Sequence, residues 1–401
     1  GVARDAGLEL AVRSGGHSQV GHGTTAGGIL LDLGAMRGLE VDPDARTAWA
    51  ETGLTTAEVT AATAEHGLAI GLGDTGSVGI GGITLGGGVG YLVRKHGPTI
   101  DSLLGAEIVT ADGRALQVDE THEPDLFWAI RGGGGNFGVA TRFRYRLQPL
   151  SRAVGGMLVL PATAATVAGF IAAADAAPDD LSTIANVMTC PPMPFVPVEQ
   201  HGSLVILAFL CYAGDATGAD HVLAPFRTLA TPIADFVRPI AYPEMYPPED
   251  TSYHPTAVGR TLFVDAIDEQ VATTILEALA ASDAPIRAAQ LRVLGGAMAR
   301  VPDEATAFAH RRSRIMVNVA AFYEGEADRS ARDAWAAALA GALRQGDDGA
   351  YVNFLAVEDP DRVRAAYPGA TWDRLREVKA RYDPKNLFRR NHNIPPADGH
   401  A

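Results

Sequence analysis

The sequence predicts an α+β protein of two domains, and two observations lead to that prediction. Residues 1–150 hold short strand-like runs broken by glycine clusters, whereas helical and strand patterns alternate through residues 151–365, where glycine is rarer. Long helices beside separate strand runs favour a mostly antiparallel sheet covered by helices in the second domain. Residues 366–401 end in a polar, proline-punctuated segment. We expect this segment to return to the first domain.

Strand patterns dominate the first domain. Helices are predicted only at 55–66, where Thr55 and Glu58 have capping-box spacing, and at 124–131. The predicted strands, several separated by turn signals such as Pro43-Asp44, cover residues 8–13, 29–33, 39–42, 47–51, 106–110, 115–118 and 139–147.

The second domain alternates longer helical patterns with apolar strand patterns. The predicted helices cover residues 162–176, 217–229, 268–281 and 328–343, and the predicted strands cover residues 204–212, 260–267, 288–294, 314–322 and 351–355. Between Pro232 and Pro255 the chain is rich in proline and tyrosine without periodicity, which indicates a loop near the mouth of the site.

Composition excludes several classes of function. The chain has 401 residues and a net charge of −14, which argues against nucleic-acid binding because that requires a basic face. No run approaches the roughly 18 apolar residues of a membrane span. The two cysteines make neither a disulfide framework nor a thiolate cluster, and the histidines lack acidic partners at ligand spacing, so no metal site is predicted. The opening GVARDAG is typical of a helix end, so we expect an upstream segment, and localisation and oligomeric state stay open.

The segment Gly71–Gly90 contains ten glycines in twenty residues. We interpret this glycine tract as backbone that lies against a large flat ligand rather than as a packed element, because glycine has no side chain to bury. A second glycine-rich turn, Arg13–Ser18, has the sequence RSGGHS. Two backbone cradles and one imidazole predict FAD as the ligand. A flexible linker is the alternative, but apolar residues interrupt the tract at near-regular intervals.

The same glycines are compatible with two other chemistries in composition but not in context. Residues 71–76 formally satisfy G-x-G-x-x-G, the fingerprint of nicotinamide dinucleotide enzymes. That motif needs a helix opening on its third glycine and an acidic residue about 20 positions later. Here the motif runs into further glycines, and no helix start is predicted. A hydrolase nucleophile elbow, G-x-S-x-G, is absent.

Four motifs together resemble one family. They are RSGGHS at 13–18, the glycine tract, GGGGNFGVAT at 132–141 and YDPKNLFRRNHNIPP at 382–396. The chain thereby resembles the berberine bridge enzyme-like FAD-linked oxidoreductases of the vanillyl-alcohol oxidase and p-cresol methylhydroxylase superfamily. The resemblance covers nearly the whole chain, including GGAMARVPDEATAFAHR at 295–311. It implies the two-domain FAD-binding fold of that superfamily.

The resemblance also implies how FAD is held. His17 would form a single covalent bond to the flavin 8α-methyl carbon, because a neutral imidazole can add to the electrophilic methide tautomer. Many relatives have a second bond from a cysteine, and Thr75 stands in its place. The implied FAD-binding residues are Arg13, Ser14, Gly15, Gly16, His17, Ser18, Gly73, Thr75, Gly76, Ser77, Gly79, Ile80, Gly82, Thr84, Gly88, Gly138, Val139, Asn391 and Asn393.

Candidate catalytic residues follow from the same resemblance. Residues 351–354, Tyr-Val-Asn-Phe, resemble the family's Y-x-N-Y segment, so Tyr351 is the implied base and Asn353, on the same face of a strand, would orient the substrate. Tyrosine titrates near pH 10, so this role requires a lowered pKa or a proton relay. Val78 would leave room for O2 beside the flavin. The lesser substrate-binding candidates are Gln290, Arg292, Tyr91 and His310.

The implied activity is oxidation of an alcohol or related C–H centre in a small organic substrate, such as a sugar or secondary metabolite. Hydride would pass to flavin N5, and O2 would reoxidise the flavin to give H2O2. Two alternatives remain open at this point. One is a flavin dehydrogenase or monooxygenase of natural-product biosynthesis, and the other is a non-catalytic flavin-binding protein.

Overall fold

The computed structural model describes residues 1–249, 256–356 and 359–398. Its architecture is α+β, with helices and almost entirely antiparallel sheets, as predicted. The strands are β1 Leu10–Arg13, β2 Ile29–Asp32, β3 Leu39–Asp42, β4 Thr47–Glu51, β5 Leu68–Ala69, β6 Leu103–Val109, β7 Ala115–Val118, β8 Val139–Arg146, β9 Gln148–Pro149, β10 Ala153–Pro161, β11 Leu181–Thr189, β12 Leu204–Tyr212, β13 Ala234–Asp235, β14 Arg238–Ile240, β15 Ala257–Val264, β16 Arg287–Val293 and β17 Ile315–Phe322.

The α-helices vary from one turn to five. They are α1 Val2–Ala6, α2 Thr56–Ala64, α3 Ile80–Leu85, α4 Val93–His96, α5 Pro124–Ile130, α6 Ala164–Ala176, α7 Ala219–Arg227, α8 Glu269–Ala281, α9 Ala297–Arg300, α10 Glu326–Leu343, α11 Pro360–Ala365 and α12 Ala370–Tyr382. Within the residues described, none of these helices combines the length and the apolar character that crossing a bilayer requires.

Small sheets make up the first part of the chain. A five-stranded antiparallel sheet has the order β3-β4-β8-β6-β7, and β1 and β2 form a parallel pair. Helix α2 begins as predicted: the Thr55 hydroxyl accepts from the Glu58 backbone N–H while the Glu58 carboxylate accepts from the Thr55 N–H. The capping box therefore fixes the start of this helix beside the glycine tract.

An eight-stranded antiparallel sheet forms the second part. Its order is β13-β10-β12-β11-β16-β17-β15, with β14 paired to β10. One face packs against α6, α7, α8 and α10 through a continuous apolar core. The opposite face carries half-buried polar side chains such as Asn186, Gln290 and Asn318, which share one row across β11, β16 and β17. This alternation is expected where a sheet separates a core from a site.

Several predicted elements were wrong or missing. The glycine tract is largely buried and contains helix α3, because its glycines let backbone segments pack directly on one another. The strand predicted at 351–355 is instead a single 3-10 turn, Val352–Phe354. Strands β10 and β11 were not predicted, because neither shows a regular alternation of apolar and polar residues. Helix α12 was not predicted either, because its many charged residues obscure the helical pattern of apolar residues. The predicted loop 232–255 holds the short strands β13 and β14, and its residues 250–255 lie outside the described residues.

The C-terminal segment packs on the first part of the chain. Lys379 and Asp383 form a fully buried ion pair of 2.6 Å. The Lys379 ammonium also donates to the backbone carbonyls of Asn136 and Phe388. The Asn136 amide donates to the His392 carbonyl and accepts from the Ile394 N–H. These bonds bring residues 388–394 to the glycine cluster 132–138, although the domain bounds stay a prediction.

Candidate active site

A cleft with a cavity volume of about 390 Å³ lies where five segments meet. Its lining comes from residues 10–23, 74–89, 134–136, 351–355 and 388–392, together with Tyr367. Two names are used below. The glycine wall is the backbone of residues 13–18, 79–83 and 134–136, and the side-chain wall is formed by Asp74, Val89, Tyr351 and Phe354.

The RSGGHS turn follows β1 and is fixed to the glycine tract. The Ser14 hydroxyl donates to the Thr52 carbonyl at 2.5 Å and accepts from the Gly81 N–H at 3.2 Å. Gly16 has a φ of +74°, which favours glycine. Among the residues described, no protein acceptor receives the backbone N–H groups of Gly15 and Gly16. They remain available to an anionic group in the cleft.

The glycines of the tract serve two purposes. Nine of the ten would place an added Cβ within contact distance of other protein atoms; Gly79, for example, lies against the backbone of Gly15. Gly82 would place its Cβ in open space of the cleft, and Gly135 on the same wall would do the same. Chain packing therefore explains most of these glycines, while Gly82 and Gly135 leave room for a ligand.

His17 lies exposed at the edge of the glycine wall. Its Nε2 is 3.0 Å from the Ser77 hydroxyl, which donates to the Glu249 carboxylate at 2.6 Å. The Ser77 backbone N–H donates to the same carboxylate at 3.1 Å. Thr75, predicted to stand in the place of the family cysteine, also lines the cleft. The segment that follows strand β14 thus reaches the site through Glu249.

Tyr351 is buried at the centre of the side-chain wall, with 2% of its surface exposed. Its phenolic oxygen accepts from the Gly88 N–H at 2.9 Å, the Val89 N–H at 3.2 Å and the Asn353 amide at 2.9 Å. Burial raises the pKa of Tyr351, and the three N–H donors oppose that rise because they stabilise the phenolate. The predicted pairing of Tyr351 with Asn353 is present, although it comes from a turn and not from a strand.

Arg292 belongs to a buried network behind the side-chain wall and does not line the cleft. It is 3% exposed and donates to the Asp74 carboxylate at 2.5 Å and to the Val89 carbonyl at 2.9 Å. Its remaining donors bond to Gln290, whose amide in turn donates to Asn186. The guanidinium also lies 5.0 Å from the Phe354 ring. Arg292, itself bonded to Gln290, thus contacts three residues of the wall, Asp74, Val89 and Phe354.

Tyr91 and His310 are also buried outside the cleft. The Tyr91 hydroxyl donates to the Asp74 carbonyl at 3.2 Å, and burial raises the pKa of this phenol. His310 stacks on Phe263 and its Nε2 lies 3.1 Å from the Ala366 carbonyl, while burial lowers the pKa of its imidazole. The geometry gives both residues structural contacts, and a role with substrate stays a prediction.

The predicted FAD residues divide by position. Those that line the cleft are Arg13, Ser14, Gly15, Gly16, His17, Ser18, Thr75, Gly79, Gly82 and Asn391, and Val78, predicted to leave room for O2, lines it as well. Those that the cleft does not reach are Gly73, Gly76, Ser77, Ile80, Thr84, Gly88, Gly138, Val139 and Asn393. Two residues of the second group make contacts elsewhere in the protein. The Thr84 hydroxyl bonds to Tyr145 in the core, and a side chain at Gly138 would clash with Ile108.

Some residues of the site were not predicted. Asp74, Ile83 and Phe354 line the cleft from within or beside motifs that the sequence had already singled out. His22 and His392 also line it, with ring centroids 4.7 Å apart. Burial, followed by the charge of Arg390, lowers the pKa of His22 to about 4. His392 lies between the predicted residues Asn391 and Asn393, so its position in the C-terminal motif could have identified it as a site residue.

The cleft fits FAD on three features of its own residues. The Asn391 amide donates to the carbonyls of Gly135 and Phe388, while its oxygen is buried without a hydrogen-bond partner. A buried amide oxygen of this kind requires a donor from a ligand or solvent. Gly82 supplies the flat surface, and the backbone N–H groups of Gly15 and Gly16 supply the anion cradle.

Comparison with known proteins agrees with this geometry. Residues 1–119 match a family model described as FAD binding domain, and residues 350–395 match one described as berberine and berberine like. The chain is 30% identical to (R)-6-hydroxynicotine oxidase of Paenarthrobacter nicotinovorans over 98% of this chain and 87% of that protein.

Solved structures show the same fold. The crystal structure of 6-hydroxy-D-nicotine oxidase from Arthrobacter nicotinovorans has a TM-score of 0.85 and 27% identity, covering 99% of this chain and 88% of that one. Xylooligosaccharide oxidase from Myceliophthora thermophila has a TM-score of 0.83 and 25% identity, with the same coverage of 99% and 88%. The two-domain fold predicted from the motifs is confirmed.

Proposed function

The chain belongs to the berberine bridge enzyme-like FAD-linked oxidoreductases, and we propose that it is an oxidase of an alcohol or related C–H centre in a small organic substrate. When bound, FAD supplies the hydride acceptor at N5 and passes the electrons to dioxygen, which gives H2O2. The observation that carries this proposal is the cleft itself. It places Tyr351 and Asn353 in the same cavity as His17 and Val78.

Tyr351 is proposed to take the proton of the substrate hydroxyl. A neutral phenol oxygen has two lone pairs, whereas a phenolate can accept three hydrogen bonds. Three N–H donors surround this oxygen, so the site is built to stabilise the deprotonated form. Burial excludes water from the same oxygen, and the proton must therefore come from a group bound in the cleft.

His17 is proposed to hold FAD through one covalent bond, with Thr75 unable to form the second. An imidazolyl substituent withdraws electrons and raises the flavin potential, which favours hydride uptake. Val78 lines the cleft, and its carbonyl is fixed by the Thr56 N–H at 2.8 Å. A small side chain held in place here would leave space for O2, because protein interiors are otherwise close-packed.

The substrate class is proposed from the relatives as well as from the wall. The relatives bear the names of oxidases of 6-hydroxynicotine and of xylooligosaccharides. The side-chain wall combines aromatic rings with the Tyr351 oxygen. This combination suits a cyclic substrate with a C–H centre beside a hydroxyl or other heteroatom.

The test is a screen of cyclic alcohols, sugars and ring amines, read in two ways. Anaerobic bleaching of the flavin band by a substrate is expected, followed by one H2O2 per flavin on admitting oxygen. Bleaching with slow reoxidation would make the protein a dehydrogenase. No bleaching by any member of the panel would contradict the proposed activity and favour a non-catalytic flavin protein.

A further inference from the structure

The charged group of the side-chain wall is the carboxylate of Asp74, and the proposed reaction does not use it. Asp74 lines the cleft with 22% of its side chain exposed, whereas its partner Arg292 has 3% exposed and lies behind the wall. A role for Asp74 in substrate binding rests on the proposed oxidation of a substrate hydroxyl at Tyr351. It would define which second group of the substrate the wall recognises.

The two carboxylate oxygens of Asp74 have different surroundings. Oδ2 accepts from the Arg292 guanidinium at 2.5 Å, while Oδ1 accepts no hydrogen bond from any residue that the structure describes. Oδ1 is not closed off by other atoms, and its residue lines the cleft. Because a carboxylate oxygen only accepts hydrogen bonds, a ligand that uses Oδ1 must bring an O–H or N–H donor.

The backbone around Asp74 is fixed by two buried tyrosines. The Tyr91 hydroxyl donates to the Asp74 carbonyl at 3.2 Å, and the Tyr246 hydroxyl donates to the carbonyl of the preceding Gly73 at 3.0 Å. Gly73 has a φ of +142°, and an added Cβ there would clash with Ile83. The backbone that carries the open oxygen therefore has a fixed place in the wall.

Arg292 fixes the carboxylate and balances its charge. Its Nε and Nη2 donate to the Gln290 side-chain oxygen at 3.0 and 2.7 Å, and the Gln290 amide donates to Asn186 at 3.0 Å. These bonds prevent the guanidinium from turning toward a ligand. Since the pair of Arg292 and Asp74 has no net charge, it would leave the charge of a bound ammonium uncompensated, at a cost in desolvation. A neutral hydroxyl has no such cost, so the pair favours a hydroxyl.

Val89 connects this carboxylate to Tyr351. The Val89 N–H donates to the Tyr351 phenolic oxygen at 3.2 Å, and the Val89 carbonyl accepts from Arg292 at 2.9 Å. Val89, Tyr351 and Asp74 all line the cleft. One residue therefore fixes the spacing between the oxygen proposed to take the substrate proton and the oxygen that is open to a second donor.

We propose that Asp74 is a specificity-determining residue whose Oδ1 accepts a hydrogen bond from a second, non-reacting hydroxyl of the substrate, and that Arg292 positions it. The substrate is then a neutral cyclic diol or polyol, with one hydroxyl at Tyr351 and another at Asp74. A hydrogen bond to a charged acceptor changes affinity by about 10- to 100-fold, which is enough to separate a diol from the corresponding mono-alcohol.

The test uses probes that share one ring: the isomeric cyclohexanediols, cyclohexanol and the aminocyclohexanols, whose amine is protonated at neutral pH. Binding to the oxidised holoenzyme is measured under argon from the perturbation of the flavin spectrum, and oxidation from bleaching of the flavin band. Wild type should bind at least one diol about 10- to 100-fold more tightly than cyclohexanol. It should bind no aminocyclohexanol more tightly than that diol.

Asp74→Asn tests the acceptor directly. The asparagine keeps an oxygen for Arg292 and presents an NH2 donor to the cleft in place of Oδ1. The preference for the diol over cyclohexanol should therefore fall to about one. A change in the environment of Tyr351 would affect both probes alike, so it cancels in this ratio. Asp74→Ala combined with Arg292→Met removes both charges together and should also abolish the preference, which keeps the test open if the single variant does not fold.

Two controls separate substrate recognition from other roles of the carboxylate. Asp333→Asn disrupts another ion pair, with Arg260 at 2.7 Å outside the cleft, and should leave the preference unchanged. The affinity for FAD, measured with His17→Ala as background, should change less than about twofold on adding Asp74→Asn. Weaker FAD binding with an unchanged diol preference would assign Oδ1 to the cofactor and overturn the proposal.

The remaining outcomes distinguish this proposal from the proposed function. An equal diol preference in wild type and Asp74→Asn would overturn the role of Asp74 while the oxidase activity stands. Wild type that prefers no diol, or that binds an aminocyclohexanol most tightly, would overturn it as well. If no probe bleaches the flavin, the proposed oxidation of such rings fails, while the binding preference still decides the role of Asp74.

Discussion

The two walls of the cleft use different parts of the chain's chemistry. The glycine wall offers backbone N–H groups and bare Cα atoms, and only glycine can provide that surface. The side-chain wall offers a phenol, a carboxylate and a ring, each supported by partners from other segments. The glycine-rich composition of the sequence indicates a wall made of backbone. A wall made of side chains combines residues that are far apart in the sequence, so composition does not indicate it. The experiments below test where this division holds.

The largest expected effect separates the covalent bond from the backbone cradle. His17→Ala should abolish covalent attachment completely, while the glycine wall still binds FAD. Acid precipitation should leave the colour with wild-type protein and release it from the variant. Colour that leaves wild-type protein in the acid supernatant would contradict the assignment of His17.

Tyr351→Phe tests the side-chain wall. Removal of one hydroxyl should slow flavin reduction by roughly 10² to 10⁴, the usual contribution of general base catalysis. Substrate binding should change far less, since the ring remains. Anaerobic stopped-flow with saturating substrate measures both quantities. Reduction at the wild-type rate would move the base to another residue.

A pair of alanine variants tests the glycine wall from within. Gly79→Ala would force Cβ against the Gly15 backbone, so it should cost about 1–3 kcal/mol of unfolding free energy. Gly82→Ala meets no protein atom and lies in helix α3, so it should keep or raise stability by up to about 1 kcal/mol. FAD should nevertheless bind about tenfold more weakly to Gly82→Ala. Denaturant unfolding measures the stability of both variants, and FAD titration measures their affinity for the cofactor. Unaltered FAD binding by Gly82→Ala would contradict this prediction.

Val78→Leu tests the boundary between the walls. One added methylene in the close-packed cleft should slow reoxidation of the reduced enzyme by O2 about tenfold or more, with reduction by substrate unchanged. Stopped-flow mixing of reduced enzyme with oxygenated buffer gives the rate. Equal oxygen rates in the two proteins would remove Val78 from the oxygen path.

The smallest effect is a shift along the pH axis. Because burial raises the pKa of Tyr351 above its usual value near 10, flavin reduction should keep rising with pH into the alkaline range. Asn353→Leu removes one donor to the phenolate and raises that pKa further. The profile should therefore move about one pH unit higher, the worth of one hydrogen bond. A profile unchanged in Asn353→Leu would argue that this amide does not act on Tyr351.

The sequence was most informative where backbone chemistry dominates. The RSGGHS turn, the capping box at Thr55 and the C-terminal motif were all recognisable, and residues from two of these three motifs line the cleft. The interpretation of the glycine tract was only partly correct. Composition shows that side chains are excluded, but it does not show whether a ligand or another piece of chain excludes them. For nine of the ten glycines of the tract, another part of the chain excludes the side chain.

The side-chain wall was harder to predict for a physical reason. Arg292 was recognisable as a charged residue on a predicted strand. The direction of its side chain, however, depends on Asp74, which is 218 residues away in the sequence. Glu249 gave no signal, because its role depends on Tyr246 and Gly76 bringing two loops together. Strands β10 and β11 were missed because most of their residues are buried on both faces of the sheet, which removes the usual alternation.

The cleft is closed by both ends of the chain, and this has a consequence for biosynthesis. The Arg390 side chain donates to the Thr24 carbonyl across 366 residues, and Asn136 is held by His392. At the usual translation rate of about 5 to 20 residues per second, Arg390 is synthesised roughly 20 to 75 seconds after the RSGGHS turn. The cleft is therefore complete only after residues 390–392 have been synthesised, so the complete cleft is not available to FAD before that point.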